Sequence, residues 1–275
     1  MFILVAIAVA SCSDDDGPDG DGSGGKVSSQ TEAMIKQTFP GMRLDSISQF
    51  NKRQEMVLSE TIKLSYAGNL LTSYVVRHDD GGSFDLKYSK DTVYVNDGAY
   101  KGILGANGLI EKLICRSGKI NEFVYDSENR LIRYNPNVAD PADGGYIDLE
   151  WQDGNIVKTI RHYPQTDNYG NIIPDLEWGV HNEVFTYGTD LNLAGIQIPG
   201  YKWIYDCGYS MGYGVYQALY YAGLFGRVSK NLPVSSLSWY DGERSYLSEV
   251  DYELDLEGYV KSVDTSDYHY VFFNK

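Results

Sequence analysis

The stretch Val250–Val260, VDYELDLEGYV, decides the fold class of this chain. Apolar and acidic side chains alternate in it up to Leu256, and a period of two is the pattern of a β-strand with one buried and one solvated face. The same alternation occurs in Ile147–Trp151, IDLEW. We therefore predict antiparallel sheet in which Trp151 is buried and Glu253 faces solvent.

A loose repeat separates the predicted strands. It consists of an aromatic residue, a short turn and the apolar start of the next strand, as in Tyr66–Leu70 (YAGNL), Tyr125–Leu131 (YDSENRL) and Trp151–Ile156 (WQDGNI). Gly and Asn supply the positive φ that tight hairpin turns require. The spacing drifts, which indicates a series of hairpins. We expect one all-β domain over residues 29–275, an antiparallel meander of about 12–14 strands curled into a barrel or half-barrel.

One or two short helices interrupt this pattern. Ser29–Glu32 (SQTE) resembles a capping box before an apolar run, and Pro40 would end that helix. Val215–Phe225 is apolar on most sides, which predicts a second, buried helix.

The N-terminal segment predicts a membrane address. The apolar run over residues 2–11 ends in VAS before Cys12, which resembles a bacterial lipobox, and its length is about half of what a membrane-spanning helix needs. Residues 1–11 are then a signal peptide and Cys12 is the lipidated residue. The alternative is a short buried strand with a chance cysteine.

The segment 12–28 is rich in Asp, Gly and Ser, which predicts a flexible tether. Its acidic residues resemble the surface-export signal of Bacteroides-type lipoproteins. This likeness implies a protein that is lipid-anchored in the outer membrane and faces the cell exterior. A merely solvated linker is the alternative.

The composition excludes one class of partner. A net charge of −15 and a pI near 4.6 argue against nucleic acid, because phosphate binding needs a basic surface. Cys115 and Cys207 are either one disulfide or two buried thiols. We expect a monomer whose membrane contact is the lipid anchor.

No motif predicts catalysis, a cofactor or a metal site. His162 and His181 flank an acidic loop, but no histidine or cysteine spacing is typical of a metal site, and no serine lies in a GxSxG motif. Asp148 and Glu150 share a strand face and could form a glycosidase pair, whereas a solvated sheet face is the alternative. We expect a protein that is not an enzyme.

Aromatic residues outside the hairpin repeat are the candidate ligand site, because loops often carry function. They are Trp178, Tyr201, Trp203, Tyr205, Tyr209 and Tyr213. If exposed, these rings would suit an extracellular ligand such as a glycan, bound without chemistry. If buried, they are core. A periplasm-facing carrier of a lipid or other hydrophobic ligand inside the curled sheet is the second hypothesis, and a glycoside hydrolase is the third.

Two segments carry a resemblance to known families. Tyr125–Leu131 resembles the strand-turn-strand unit of YD-type repeats, and Leu224–Pro233 (LFGRVSKNLP) is similar to the hallmark of a Bacteroidetes lipoprotein family of unknown function. The resemblance spans about residues 40–273 and implies a porin-like β-meander fold, with no activity and no catalytic residues. It gives Ser229, Lys230, Asn231 and Pro233 a structural turn role.

Overall fold

The protein is all-β. A computed structural model describes residues 27–77, 82–135, 145–167, 172–173, 176–196, 213–240 and 243–274. The helices are α1 (Ser29–Thr38), α2 (Tyr213–Tyr221) and a 3-10 turn (Lys52–Gln54). The strands are β1 (Leu44–Asn51), β2 (Val57–Ala67), β3 (Leu70–Arg77), β4 (Ser83–Tyr88), β5 (Thr92–Val95), β6 (Tyr100–Leu104), β7 (Ile110–Cys115), β8 (Ile120–Tyr125), β9 (Leu131–Asn135), β10 (Tyr146–Gln152), β11 (Asn155–Tyr163), β12 (Gly179–Leu191), β13 (Asn231–Tyr240), β14 (Glu243–Glu249), β15 (Asp251–Leu254), β16 (Val260–Asp264) and β17 (Tyr268–Asn274).

The strands form one antiparallel meander that is nearly closed into a barrel. Apart from β14 and β15, neighbouring strands in the sequence pair with each other, and β1 also pairs with β17, with Ser48 opposite Val271. One interruption separates β14 from β15, since β14 pairs with β13 and β15 pairs with β16. The predicted fold class is confirmed. The described residues form 17 strands, more than the predicted 12–14. The prediction was too low because a strand as short as the four-residue β5 is too short to show a clear alternation in the sequence.

Alternation assigns the two faces of the wall as predicted. In β10, Ile147 and Leu149 are buried, while Glu150 is exposed. Trp151 is partly buried against the core, and Glu253 is exposed. The prediction for Leu256 is wrong: its side chain is fully exposed, because β15 ends at Leu254 and the Asp255 carboxylate accepts backbone N–H bonds within the following turn.

The turns that follow the aromatic repeat lie at one end of the barrel, which we name the turn rim. Here an aromatic side chain near the end of a strand donates a hydrogen bond to a backbone carbonyl near the start of a neighbouring strand. The pairs are Tyr66 to Leu44 (3.0 Å), Tyr88 to Leu71 (2.8 Å), Tyr125 to Ile110 (2.8 Å), Trp151 to Leu131 (2.8 Å), Tyr187 to Ile156 (2.7 Å) and Tyr252 to Pro233 (2.5 Å). We call these contacts the rim hydrogen bonds.

Register shifts aim these aromatic side chains. The pairing shifts immediately before Tyr66, Tyr125, Trp151 and Tyr187. A β-bulge bends a strand and redirects the next side chain. Burial raises the pKa of Tyr187 to about 12, so its hydroxyl keeps the proton that it donates. The aromatic repeat in the sequence is thus a repeated contact between strands.

Helix α1 lies across the turn rim. Its N-cap is Ser28, whose hydroxyl accepts from the backbone N–H of Thr31, one residue before the predicted Ser29. Val27 is also buried, so the structured part includes the last two residues of the predicted tether. At the other end of α1, Thr38 Oγ1 donates to the carbonyl of Gly226 at 3.2 Å.

Helix α2 fills the interior of the barrel. Val215, Ala218 and Leu219 are fully buried, which confirms the predicted buried helix. The helix ends at Tyr221 and not at Phe225, because Gly223 has a positive φ of 79° and closes a Schellman motif.

The segment after α2 ties this plug to the turn rim. The carbonyl of Leu224 accepts from the N–H of Ile110 at 3.0 Å, and the N–H of Arg227 donates to the carbonyl of Asn129 at 3.2 Å. Ser229 Oγ accepts from the N–H of Ile156, and the N–H of Asn231 donates to Asn155 Oδ1. Ser229 and Lys230 lie in the connection before β13, but Asn231 and Pro233 lie within β13, so the turn role that the resemblance implied for these two residues is wrong.

Cys115 lies on the inner face of β7, and burial raises the pKa of its thiol to about 11. Cys207 lies outside the described residues, so a disulfide between the two stays a prediction.

The rim hydrogen bonds can be tested with Tyr125→Phe. This change leaves the carbonyl of Ile110 without its hydroxyl donor, and we expect the free energy of unfolding to fall by about 1–3 kcal/mol. Urea unfolding measures it. The control is Tyr246→Phe at an exposed ring, which should change stability by less than about 0.5 kcal/mol. Equal effects would show that the rim hydrogen bonds do not stabilise the barrel.

Candidate functional site

The structure locates only part of the predicted aromatic site. Trp178 immediately precedes β12 and is 40% exposed. Tyr213 is the first residue of α2, and its side chain lies outside the described part of the chain. The remaining predicted residues, Tyr201, Trp203, Tyr205 and Tyr209, lie outside the described residues. Among these six predicted residues, Trp178 is the one whose side chain the structure describes.

Trp178 belongs to a cluster on the outer wall, near the end of the barrel opposite the turn rim, which we name the loop rim. The rings of Trp178 and Tyr146 have centroids 6.0 Å apart, and Tyr146 stacks on His162 at 4.2 Å with an interplanar angle of 18°. Tyr146 and His162 are direct cross-strand partners on β10 and β11. We call Arg133, Tyr146, Asp148, His162 and Trp178 the Tyr146 cluster.

An ion pair supports the ring stack from the side. The guanidinium carbon of Arg133 lies 4.7 Å from the centroid of Tyr146, and its Nε and Nη2 donate to the two carboxylate oxygens of Asp148 at 2.5 and 3.0 Å. The hydrogen bond to Asp148 raises the pKa of Arg133. His162 Nε2 lies 3.8 Å from Asp148 Oδ2. The cluster therefore joins stacked rings to a charged pair whose planar groups are held in place.

Two glycines allow this arrangement. Gly145 has a φ of +65°, and a Cβ there would lie 1.8 Å from the carbonyl oxygen of His162. A Cβ at Gly179 would lie 2.4 Å from the ring of Tyr163. Both positions flank the cluster, and the close backbone approach at Gly145 sets the start of the strand that carries Tyr146.

The cluster has the features of a ligand platform. Trp178 offers an exposed apolar ring edge beside fixed donors and acceptors. Aromatic faces pack against apolar C–H surfaces, while Arg133 and Asp148 can meet hydroxyl groups. This combination suits a polar ligand with an apolar face.

The catalytic alternatives find no support in this geometry. Arg161 is the cross-strand partner of His181, and His162 is that of Val180, so the two histidines face opposite sides of the sheet and cannot bind one ion. No group of metal-ligating side chains occurs among the described residues. Asp148 is held by Arg133, and Glu150 lies 3.8 Å from Lys158, as on a solvated sheet face.

Sequence reasoning found Trp178 but missed its partners. Arg133 lies on β9 and Tyr146 on β10, thirteen positions apart in the sequence, and their proximity depends on the register of β9, β10 and β11. The available signal was Gly145 before an alternating strand, which marks a position of close backbone approach.

Comparisons with known proteins support the fold. No protein-family model matches this chain, and no curated protein matches it. A crystal structure of a porin-like protein from Bacteroides uniformis is similar, with a TM-score of 0.59 and 15% identity over 86% of this chain and 100% of that one. A porin-like protein from Bacteroides vulgatus gives a TM-score of 0.47 and 12% identity over 86% of this chain and 99% of that one. At the identity of the first, the likeness shows the fold alone.

Proposed function

We propose that the protein is a lipid-anchored outer-membrane protein that faces the cell exterior and binds an extracellular glycan without catalysis. The observation that carries the binding proposal is the exposed Trp178 beside the fixed stack of Tyr146 and His162. Rings of this kind present apolar faces to a sugar, and the Arg133–Asp148 pair supplies polar contacts. The predicted lipobox at Cys12 supports the address.

The outer wall supports attachment by a lipid anchor. Ion pairs occur around it: Lys112–Glu122, Arg133–Asp148 and Lys261–Glu253 join neighbouring strands, and Lys52–Asp264 and Lys87–Asp97 join a strand to a turn. A lysine or arginine on the lipid-facing side of a membrane-embedded wall costs about 2–4 kcal/mol at the bilayer midplane. These side chains are instead solvated as on a water-facing surface. No helix among the described residues is long and apolar enough to cross a bilayer.

The carrier hypothesis needs apolar space inside the sheet. At the turn rim that space is filled, since Leu219 and Phe225 are buried and Phe225 packs on Phe123 at 4.9 Å. Tyr134 and Tyr216 join their hydroxyls at 2.9 Å within the same region. These contacts favour a ligand on the wall over an acyl chain in the interior.

The binding proposal is tested with Trp178→Ala. Glycan-array screening of the wild-type domain selects a saccharide, and calorimetry should then show binding to the variant weakened by up to about tenfold, because a lost aromatic contact costs about 0.5–1.5 kcal/mol. Phe273→Ala is the matched control, since Phe273 is 50% exposed on the wall away from the cluster, comparable with Trp178. Unchanged binding by Trp178→Ala would contradict the site, and a lipid found by mass spectrometry of the purified protein would favour the carrier.

The anchor is tested with Cys12→Ala in a lipoprotein-processing bacterial host. Wild-type protein should partition into the detergent phase and the variant into the aqueous phase, because the acyl chains supply the membrane affinity. Cys115→Ala controls for loss of a thiol elsewhere. If wild type and Cys12→Ala partition alike, the anchor proposal fails while the glycan site stands.

A further inference from the structure

Strand β14 has one open edge. It pairs with β13 along Ser235–Tyr240, and on its other side no partner strand occurs among the described residues. The reason is the length of the neighbouring hairpin. The last pair on that side joins Asp251 to Asp264, and the chain then turns back toward Tyr268. Strand β14, which comes before Asp251 in the chain, therefore extends past the end of the β16–β17 hairpin.

The hydrogen-bonding direction along this edge follows from the register. The N–H of Val250 donates to the carbonyl of Val234 on the β13 side. Successive residues of a strand direct their backbone groups to alternate sides, so Ser248 and Tyr246 also bond toward β13. Leu247 and Glu249 then direct their N–H and C=O groups to the open edge. Such a row is a template for another strand.

Both faces of this edge carry exposed apolar side chains. Tyr246 is 55% exposed on the inner face, and Leu247 is 65% exposed on the outer face. The adjoining β13 adds Tyr240 and Leu237, at 44% and 40% exposure. A strand laid against β14 would cover apolar surface on both faces while its backbone completes the ladder.

Charge decides between possible occupants. Exposed Glu249 lies on the edge and exposed Asp251 lies at its end, and the chain carries a net charge of −15, which disfavours a second copy of itself. We propose that β14 binds an extended segment of another protein by strand addition, and that this segment alternates apolar with basic residues. This site is separate from the Tyr146 cluster and does not depend on the glycan proposal.

The test uses a synthetic peptide that alternates valine and lysine. It should bind the wild-type protein, and binding should weaken at least about tenfold in Leu247→Pro, because proline removes an N–H from the open edge and leaves the β13 ladder intact. Leu247→Thr is the matched control, since it keeps the N–H and should bind nearly as wild type does. The amides of Leu247 and Glu249 should exchange more slowly with peptide present.

A second arm keeps the proposal falsifiable if Leu247→Pro does not fold. The same peptide with alternate backbone amides methylated should not bind wild-type protein. Equal binding of the methylated peptide, or of one alternating valine and glutamate, would overturn the proposal. So would a wild-type dimer in light scattering that Leu247→Pro converts to monomer, because the occupant would then be a second copy.

Discussion

The barrel depends on satisfying the backbone carbonyls at the turn rim. Helix α1 and the α2 plug cover this end, so the carbonyls of residues such as Ile110 and Leu131 need protein donors. An unsatisfied buried acceptor costs about 1–3 kcal/mol, whereas a made hydrogen bond contributes only about 1 kcal/mol net. Tyr125 and Trp151 supply two of these donors, and each reaches its carbonyl because a register shift precedes it. The aromatic repeat therefore supplies a hydrogen-bond donor to a covered backbone carbonyl at one hairpin after another.

The backbone and side chains at the turn rim are used for packing and hydrogen bonding, which explains why the candidate sites lie elsewhere. The turn rim is committed to packing, with Leu224 and Ser229 bonded to the starts of β7 and β11. The loop rim carries the Tyr146 cluster, and β14 extends past the β16–β17 hairpin there. Binding surfaces are expected where a rigid scaffold leaves side chains exposed. Both proposed surfaces use side chains or backbone groups that the closed end of the barrel does not need.

Much of the fold could be predicted because, in a strand whose apolar and polar residues alternate, the apolar residues are the buried ones. This alternation predicted the inward Ile147 and the outward Glu253 but failed at Leu256, where the turn begins. Pattern alone could not assign the rim hydrogen bonds, since the acceptor of Tyr187 lies on the neighbouring strand β11 and depends on register. Because register is not visible in the pattern, Tyr146 could not be assigned to the candidate site. Trp178 could be assigned, since it is an aromatic residue outside the repeat. Helix α2 ends at Tyr221, inside the predicted stretch Val215–Phe225, because the Schellman glycine stops it although the sequence stays apolar up to Phe225.

Native-state hydrogen exchange can establish whether the turn rim is the most stable part of the barrel. We predict that the amides of Ile110, Ile156 and Lys230, all bonded at the turn rim, exchange only through global unfolding. Amides at the loop rim, such as those of Lys52 and Val76, should exchange through smaller local openings. Equal protection at both ends, or greater protection at the loop rim, would show that the contacts at the turn rim are not what holds the barrel together.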